Sequence, residues 1–275
     1  GSEMCIRDRG IAGLQFVADK YAQRARGEFD IEGKPEAAAV FDLLRELRPE
    51  DGNFANNAGL FHRDVCVILE LEAQDRLRRA DGWEYQRTTG DDVPIEEAQW
   101  ELVQIEVTPE QAAELRAEAA ELRARASDHA RKSYRAYRAA ARLSPDDVRV
   151  VNDAALVMVY HIRKDVAEME GLLMRAIEMG AEQITDPELS PEELDFLLEA
   201  WGDAHQNMGL VCLTLKDDPA IARTWFERSF EIGPRPRIDR AWIEQVALPA
   251  CDKAAAGDPD ALEGLDPRLW LHVNP

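Results

Sequence analysis

A chain of 275 residues is long enough for one repeat array or two small domains, and 45% hydrophobic residues permit a packed core and exclude a disordered polar chain. With 33 basic against 54 acidic residues the net charge is −21, a field that repels phosphate backbones and anionic lipids; no nucleic acid and no membrane are expected as partners, and a basic or apolar protein is favoured. No run of about 18 apolar residues occurs, so no segment reads as a bilayer span.

The opening nine residues, Gly1 to Arg9, resemble the translation of a transposase adapter used in short-read sequencing libraries, and residues 1–9 are set aside from the fold reading as a non-native scar. On that reading the chain is a fragment from an environmental assembly whose native N-terminus is missing. A cytoplasmic location is the expectation, with a signal peptide or an upstream domain left open.

Helical periodicity dominates from there. Residues 11–26 predict a first helix, with Leu14, Val17, Ala18 and Tyr21 on one face. Residues 35–47 predict a second, with Ala37, Val40, Phe41, Leu44 and Leu47 as its stripe, and 53–79 a third, carrying Phe54, Ala58, Phe61, Val65, Ile68 and Leu69. Between residues 81 and 108 the pattern breaks at Gly82, Gly90 and Pro94, with Trp83, Tyr85 and Trp100 scattered through it. The apolar alternation from Leu102 to Val107 predicts an extended piece, and the whole reads as a surface insertion. One long helix follows over 109–143, with Thr108 as N-cap and Pro109 in its first turn. Further helices are predicted at 147–163, 166–179, 191–215, 218–231 and 237–255. Asp165 and Ser190 read as N-caps, the latter with Glu193 three residues on, as in a capping box.

Four stretches share one internal spacing of four, three and five. They are Ala37, Phe41, Leu44, Pro49; Ser133, Tyr137, Ala140, Pro145; Met169, Leu173, Ala176, Ala181; and Ala222, Phe226, Ser229, Pro234. A small residue lets two helices approach, a large one fills the groove, and a proline ends the helix. Their first halves agree at Ala58-Gly59 with His62, Leu156-Val157 with Tyr160, and Met208-Gly209 with Cys212. This pattern resembles the tetratricopeptide repeat family over most of 11–236. The resemblance implies an all-α fold, an α-α superhelix: a right-handed solenoid of helix-turn-helix repeats over 10–236, interrupted by the insertion at 81–108, with a capping helix and tail at 237–275. Only the unit from Pro145 to Ala181 has the family's ordinary length; the insertion splits the unit before it, and extra residues lengthen the one after.

The resemblance also implies a concave groove, lined by the first helices of successive units, that takes a peptide or another protein. The residues facing it would be Asn56, Asn57, Arg63 and Asp64; then Met158, His161 and Ile162; then Gln206, Asn207, Leu210 and Leu213. Asn57 and Asn207 stand directly before the Ala-Gly and Met-Gly pairs, where peptide-binding members use an asparagine to grip the ligand main chain. An amide offers both donor and acceptor to such a chain; the alternative is that each asparagine caps or bridges neighbouring helices. The lysines of the chaperone-binding relatives are missing from these positions. No zinc-protease, phosphate-loop or nucleophile-elbow motif occurs, so no metal, no cofactor and no catalytic residue is expected. Cys66, Cys212 and Cys251 stand singly in helical patterns and read as buried free thiols. The expected function is a scaffold or adaptor that binds a protein or peptide; the alternative is the docking arm of a larger enzyme whose catalytic domain lies upstream.

Overall fold

The computed structural model describes Leu14, Phe16, Lys20, residues 33–89, 99–232 and 237–262, and Leu265; of 237–239 only the backbone is considered. The adapter-like residues 1–9, most of the expected helix at 11–26 and the end of the tail lie outside these.

The described chain is all-α apart from one small ribbon. Helix α1 spans Gly33–Leu47 and α2 Gly52–Ala80. Strands β1, Trp83–Arg87, and β2, Trp100–Gln104, form an antiparallel pair in the insertion. Helix α3 is Pro109–Leu143, α4 Val148–Val157 prolonged by a π-turn over Met158–Ile162, α5 Val166–Gln183, α6 Pro191–Thr214 and α7 Pro219–Glu231. Helix α8, Arg237–Trp242, runs through a second π-turn, Ile243–Ala247, into α9, Leu248–Ala255.

The caps follow sequence chemistry. Thr108 Oγ1 accepts from Gln111 N at 3.2 Å while Gln111 Oε1 accepts from Thr108 N at 3.0 Å, so both orphan amides at the start of α3 are satisfied. Ser190 and Glu193 make the corresponding capping box on α6. The carboxylates of Asp147, Asp165 and Asp218 cap α4, α5 and α7.

Two compact units emerge where the repeat reading ran one array through 10–236. Of the described residues, one comprises those up to Leu44 together with those of 57–133; the other comprises Arg45–Asn56 and those from Tyr134 onward. In the first unit, residues 57–80 of α2 run antiparallel to 109–133 of α3, as the pairs Gly59 with Ser133, Arg76 with Glu118 and Asp81 with Arg116 show. Ala112, Ala119, Ala126 and Ser133 recur every seventh residue on the buried side of α3, a narrow seam that lets two helices approach closely. The ring of Phe41 on α1 stacks on Phe61 of α2 with centroids 5.5 Å apart.

In the second unit each helix packs on the next: α4 on α5, α5 on α6, α6 on α7 and α7 on α9, with α4 also against α6. The small–large spacing read from the sequence is buried throughout: Met169, Leu173 and Ala176 on α5, and Ala222, Phe226 and Ser229 on α7, are sealed from solvent. Glycine makes the closest approaches possible. A Cβ on Gly209 would stand 2.7 Å from the Phe226 ring, and one on Gly180 would stand 2.5 Å from Trp201. Trp201 Nε1 donates to Ile177 O at 3.0 Å, and Ser229 Oγ donates to Gly202 O at 2.8 Å, the counterpart of Ser133 donating to Gly59 in the first unit.

Candidate functional site

The groove residues inferred from sequence are divided between the two units. Asn57 and Arg63 lie half-buried on the part of α2 in the first unit, while Asn56, His161, Gln206, Asn207 and Leu210 belong to the second. Gln206, Asn207 and Leu210 require a correction: they are sealed inside the helix stack instead of facing a groove, because α6 is covered by α4, α5 and α7. Asn207 is 2% exposed and donates Nδ2–H to Oδ1 of buried Asn152 on α4 at 3.1 Å. It bridges two helices, the alternative weighed above. Asn56 and His161 are half-buried, the latter on the π-turn that ends α4.

A different feature of the second unit is open to solvent. The turn before α4, the end of α5 and the start of α6 enclose a cleft of about 390 Å³. Its apolar lining is Val148, Leu189, Leu197 and Ala200, with Phe196, 59% exposed, at the rim. One wall is pinned by long side chains: Arg175 donates to Pro145 O and Gln183 to Asp146 O, each at 2.7 Å. Charge in the lining is mainly negative, from Asp146, Asp147 and Glu193, with Arg149 4.0 Å from Asp147 as the opposing cation. The Ser190 hydroxyl, and then its backbone amide, hold the Glu193 carboxyl below the ordinary range. A cleft with an apolar lining, an acidic margin and a rigid wall can seat an apolar side chain beside a basic one.

The first unit carries the chemistry that pattern-matching missed. His62 Nε2 lies 2.9 Å from Asp42 Oδ2, and His62 Nδ1 lies 3.0 Å from His129 Nδ1. With both rings neutral, the Asp42 carboxylate accepts from His62 Nε2–H. His62 Nδ1 is then a lone pair, and His129 must donate from Nδ1. Burial, then the neighbouring His62, pushes His129 down to about 4, so one proton too many is excluded near neutrality. The trio spans α1, α2 and α3 and ties the three helices together through polar contacts. The signal that could have revealed it, His129 at a d-type position of the α3 heptad, is visible only once the alanine seam is noticed.

His205 Nδ1 donates to Trp201 O at 2.8 Å within α6, and its ring packs against Trp201 and Trp225. Cys66, Cys212 and Cys251 are buried thiols; burial pushes Cys212 up and Cys251 up to about 11, so neither offers a thiolate near neutrality. No helix among the described residues is long and apolar enough to cross a membrane.

No family model matches the chain, and no curated protein matches it.

Proposed function

We propose that the chain is a tetratricopeptide-like protein-binding module, a scaffold or adaptor whose second unit seats a partner segment in the cleft between the starts of α4 and α6. What supports the family likeness is the burial of the four repeated small–large positions and the glycines that let their helices meet. In a right-handed superhelix of such repeats, α4 and α6 would be successive first helices, and a cleft lined by both is where the inner surface would open.

The observation that carries the binding role is Phe196. A phenylalanine left 59% exposed at the rim of a concave, partly apolar cleft costs solubility unless something covers it. The acidic margin sets the partner's chemistry as an apolar anchor followed by lysine or arginine. The partner is thus a protein or peptide, basic or apolar.

Selection of random twelve-residue peptides against the whole chain, followed by calorimetry, tests this. Enriched peptides should combine an aromatic or aliphatic anchor with basic residues. Phe196→Ala should weaken them about tenfold or more, the cost of one exposed anchor losing its contact. Absence of any enriched peptide would remove the binding-module reading; binding that ignores Phe196→Ala would remove the cleft as its site.

A further inference from the structure

Three side chains of the first unit converge although 20 and 67 residues separate them along the chain. Asp42 stands on α1, His62 on α2 and His129 on α3. His62 Nδ1 and His129 Nδ1 lie 3.0 Å apart, with the ring centroids at 5.0 Å and the planes tilted by 59°. The rings therefore meet nitrogen to nitrogen and not face to face. On the far side of the His62 ring, Nε2 donates to Asp42 Oδ2 at 2.9 Å. That bond fixes the tautomer: the proton stays on Nε2, and the Nδ1 lone pair is turned toward His129.

An imidazole whose far nitrogen is held by a carboxylate is the usual form of a metal-binding histidine, because the carboxylate orients the ring and raises its basicity. The spacing of the two Nδ1 atoms fits the same chemistry. Metal–nitrogen bonds of about 2.05 Å put two imidazole nitrogens about 2.9 Å apart at a right angle and about 3.3 Å apart at a tetrahedral one. The observed 3.0 Å lies inside that span. An ion bound there replaces the one proton that bridges the pair. The displaced proton of His129 moves to its Nε2, so both rings bind in the neutral form.

The pair is held in place by its helices. Ser133 Oγ donates to Gly59 O at 2.7 Å, one turn along from His129 and His62, and pins α3 to α2. Ala58, Ala126 and Ala130, each about one turn or less from a histidine, are buried and let the helices close up. The stacked rings of Phe41 and Phe61, next in sequence to Asp42 and His62, fix α1 on α2. His62 is 3% exposed, but His129 and Asp42 are half-buried, so solvent reaches the pair and can complete a coordination shell. The other charges acting on His129 are Lys132, Asp128 and Arg125, and Lys132 is paired with Asp128 at 3.0 Å.

We propose that His62 and His129 are the two protein ligands of a divalent transition-metal site of the zinc, nickel or copper class, with Asp42 as the positioning carboxylate behind His62. Neutral imidazole selects those ions over magnesium and calcium, which prefer oxygen. The site belongs to the first unit alone and rests on neither the repeat reading nor the cleft.

The probes are zinc chloride and nickel chloride, titrated into the full chain by calorimetry with about 5 mM magnesium present to occupy surface carboxylates. A single equivalent should bind and raise the thermal midpoint. In nitrogen NMR of the histidine rings, the Nδ1 signals of His62 and His129 should shift together on zinc addition while His62 Nε2 keeps its proton. His129→Gln should abolish saturable uptake, and His161→Gln and Cys66→Ala should leave it unchanged. Asp42→Asn keeps both ligands but releases the His62 tautomer: affinity should fall about 10–100-fold, and both tautomers of His62 should appear in the metal-free spectrum. Because His62 is buried, the ligand is removed at half-buried His129, with helical circular dichroism as the check of folding, and the spectrum of the parent chain reads both ligands without any substitution. No saturation by about 1 mM metal, uptake that survives His129→Gln, ring nitrogens of the pair unmoved at saturation, or loss through His161→Gln or Cys66→Ala with the helices intact would each overturn the proposal.

Discussion

Asn57 and Asn207 occupy matching places in the repeat pattern, yet burial gives them different duties. Asn207→Ala removes the donor that satisfies Asn152 Oδ1 inside the stack, and an orphaned buried acceptor costs about 1–3 kcal/mol. The thermal midpoint should drop by several degrees, while Asn57→Ala, half-buried on α2, should fall within ~0.5 kcal/mol of the parent. Equal effects would show that the Asn152–Asn207 bond contributes nothing. Glycines divide in the same way. Gly209→Ala forces a methyl to 2.7 Å from a sealed phenylalanine ring that has nowhere to move, and should cost about 1–3 kcal/mol. Gly171 lies on the exposed side of α5 with nothing near its Cβ position, so Gly171→Ala should add about 0.5–1 kcal/mol through helix propensity. Denaturant melts of the two variants should move in opposite directions. The third prediction at this scale is a pH dependence. His129 titrates at about 4 in the fold against 6.5 when unfolded, so the unfolded chain binds the extra proton first. Stability from this group is complete above pH 6.5, declines as pH falls toward 4, and is flat below. His129→Gln should flatten the midpoint between pH 7 and pH 5 relative to the parent; an unchanged slope would place the titration elsewhere.

At the scale of elements, the ribbon and the long helices are separable. The large side chains of β1 and β2 lie at the surface, so the antiparallel contact of α2 with α3 does not depend on them. Replacing residues 84–106 by a short glycine–serine linker should keep the helical circular dichroism and a cooperative transition, because lengthening or shortening a surface connection changes loop entropy little. A molten product would mean that Trp83, Tyr85 and Trp100 support the core. Element existence was legible in the sequence because its cues are local: Thr108, Asp165 and Ser190 cap as their side-chain chemistry dictates, and α3 runs over 109–143 as periodicity indicated. The π-turns at Met158–Ile162 and Ile243–Ala247 were not legible, since their side chains fit an α-helix equally well.

For the whole molecule the dominant long-range term is charge. A net −21 opposes compaction through self-repulsion, and the numerous surface ion pairs offset it only locally. Raising sodium chloride from about 10 mM to about 300 mM shortens the screening length from ~30 Å to below 8 Å and should raise the thermal midpoint. A midpoint that falls with salt would show that ion pairs outweigh the net repulsion.

What the sequence determined by itself is the all-α class, most helix limits, the caps and the positions that seal the core. These follow from period, from capping chemistry and from the small–large spacing at Met169, Leu173, Ala176 and at Ala222, Phe226, Ser229. Tertiary structure alone decided which polar residues face solvent and which are shared between helices. A pattern of first helices cannot distinguish an asparagine on an open inner face from one covered by the next helix, and α4 covering α6 is what turned Asn207 from a ligand contact into a bridge to Asn152. The Asp42–His62–His129 trio, the cleft beside Phe196 and the shared face of Trp83, Tyr85, Trp100 and Leu102 likewise join residues far apart in the chain. Proximity of that kind arises from helix packing and strand register, which no local pattern encodes.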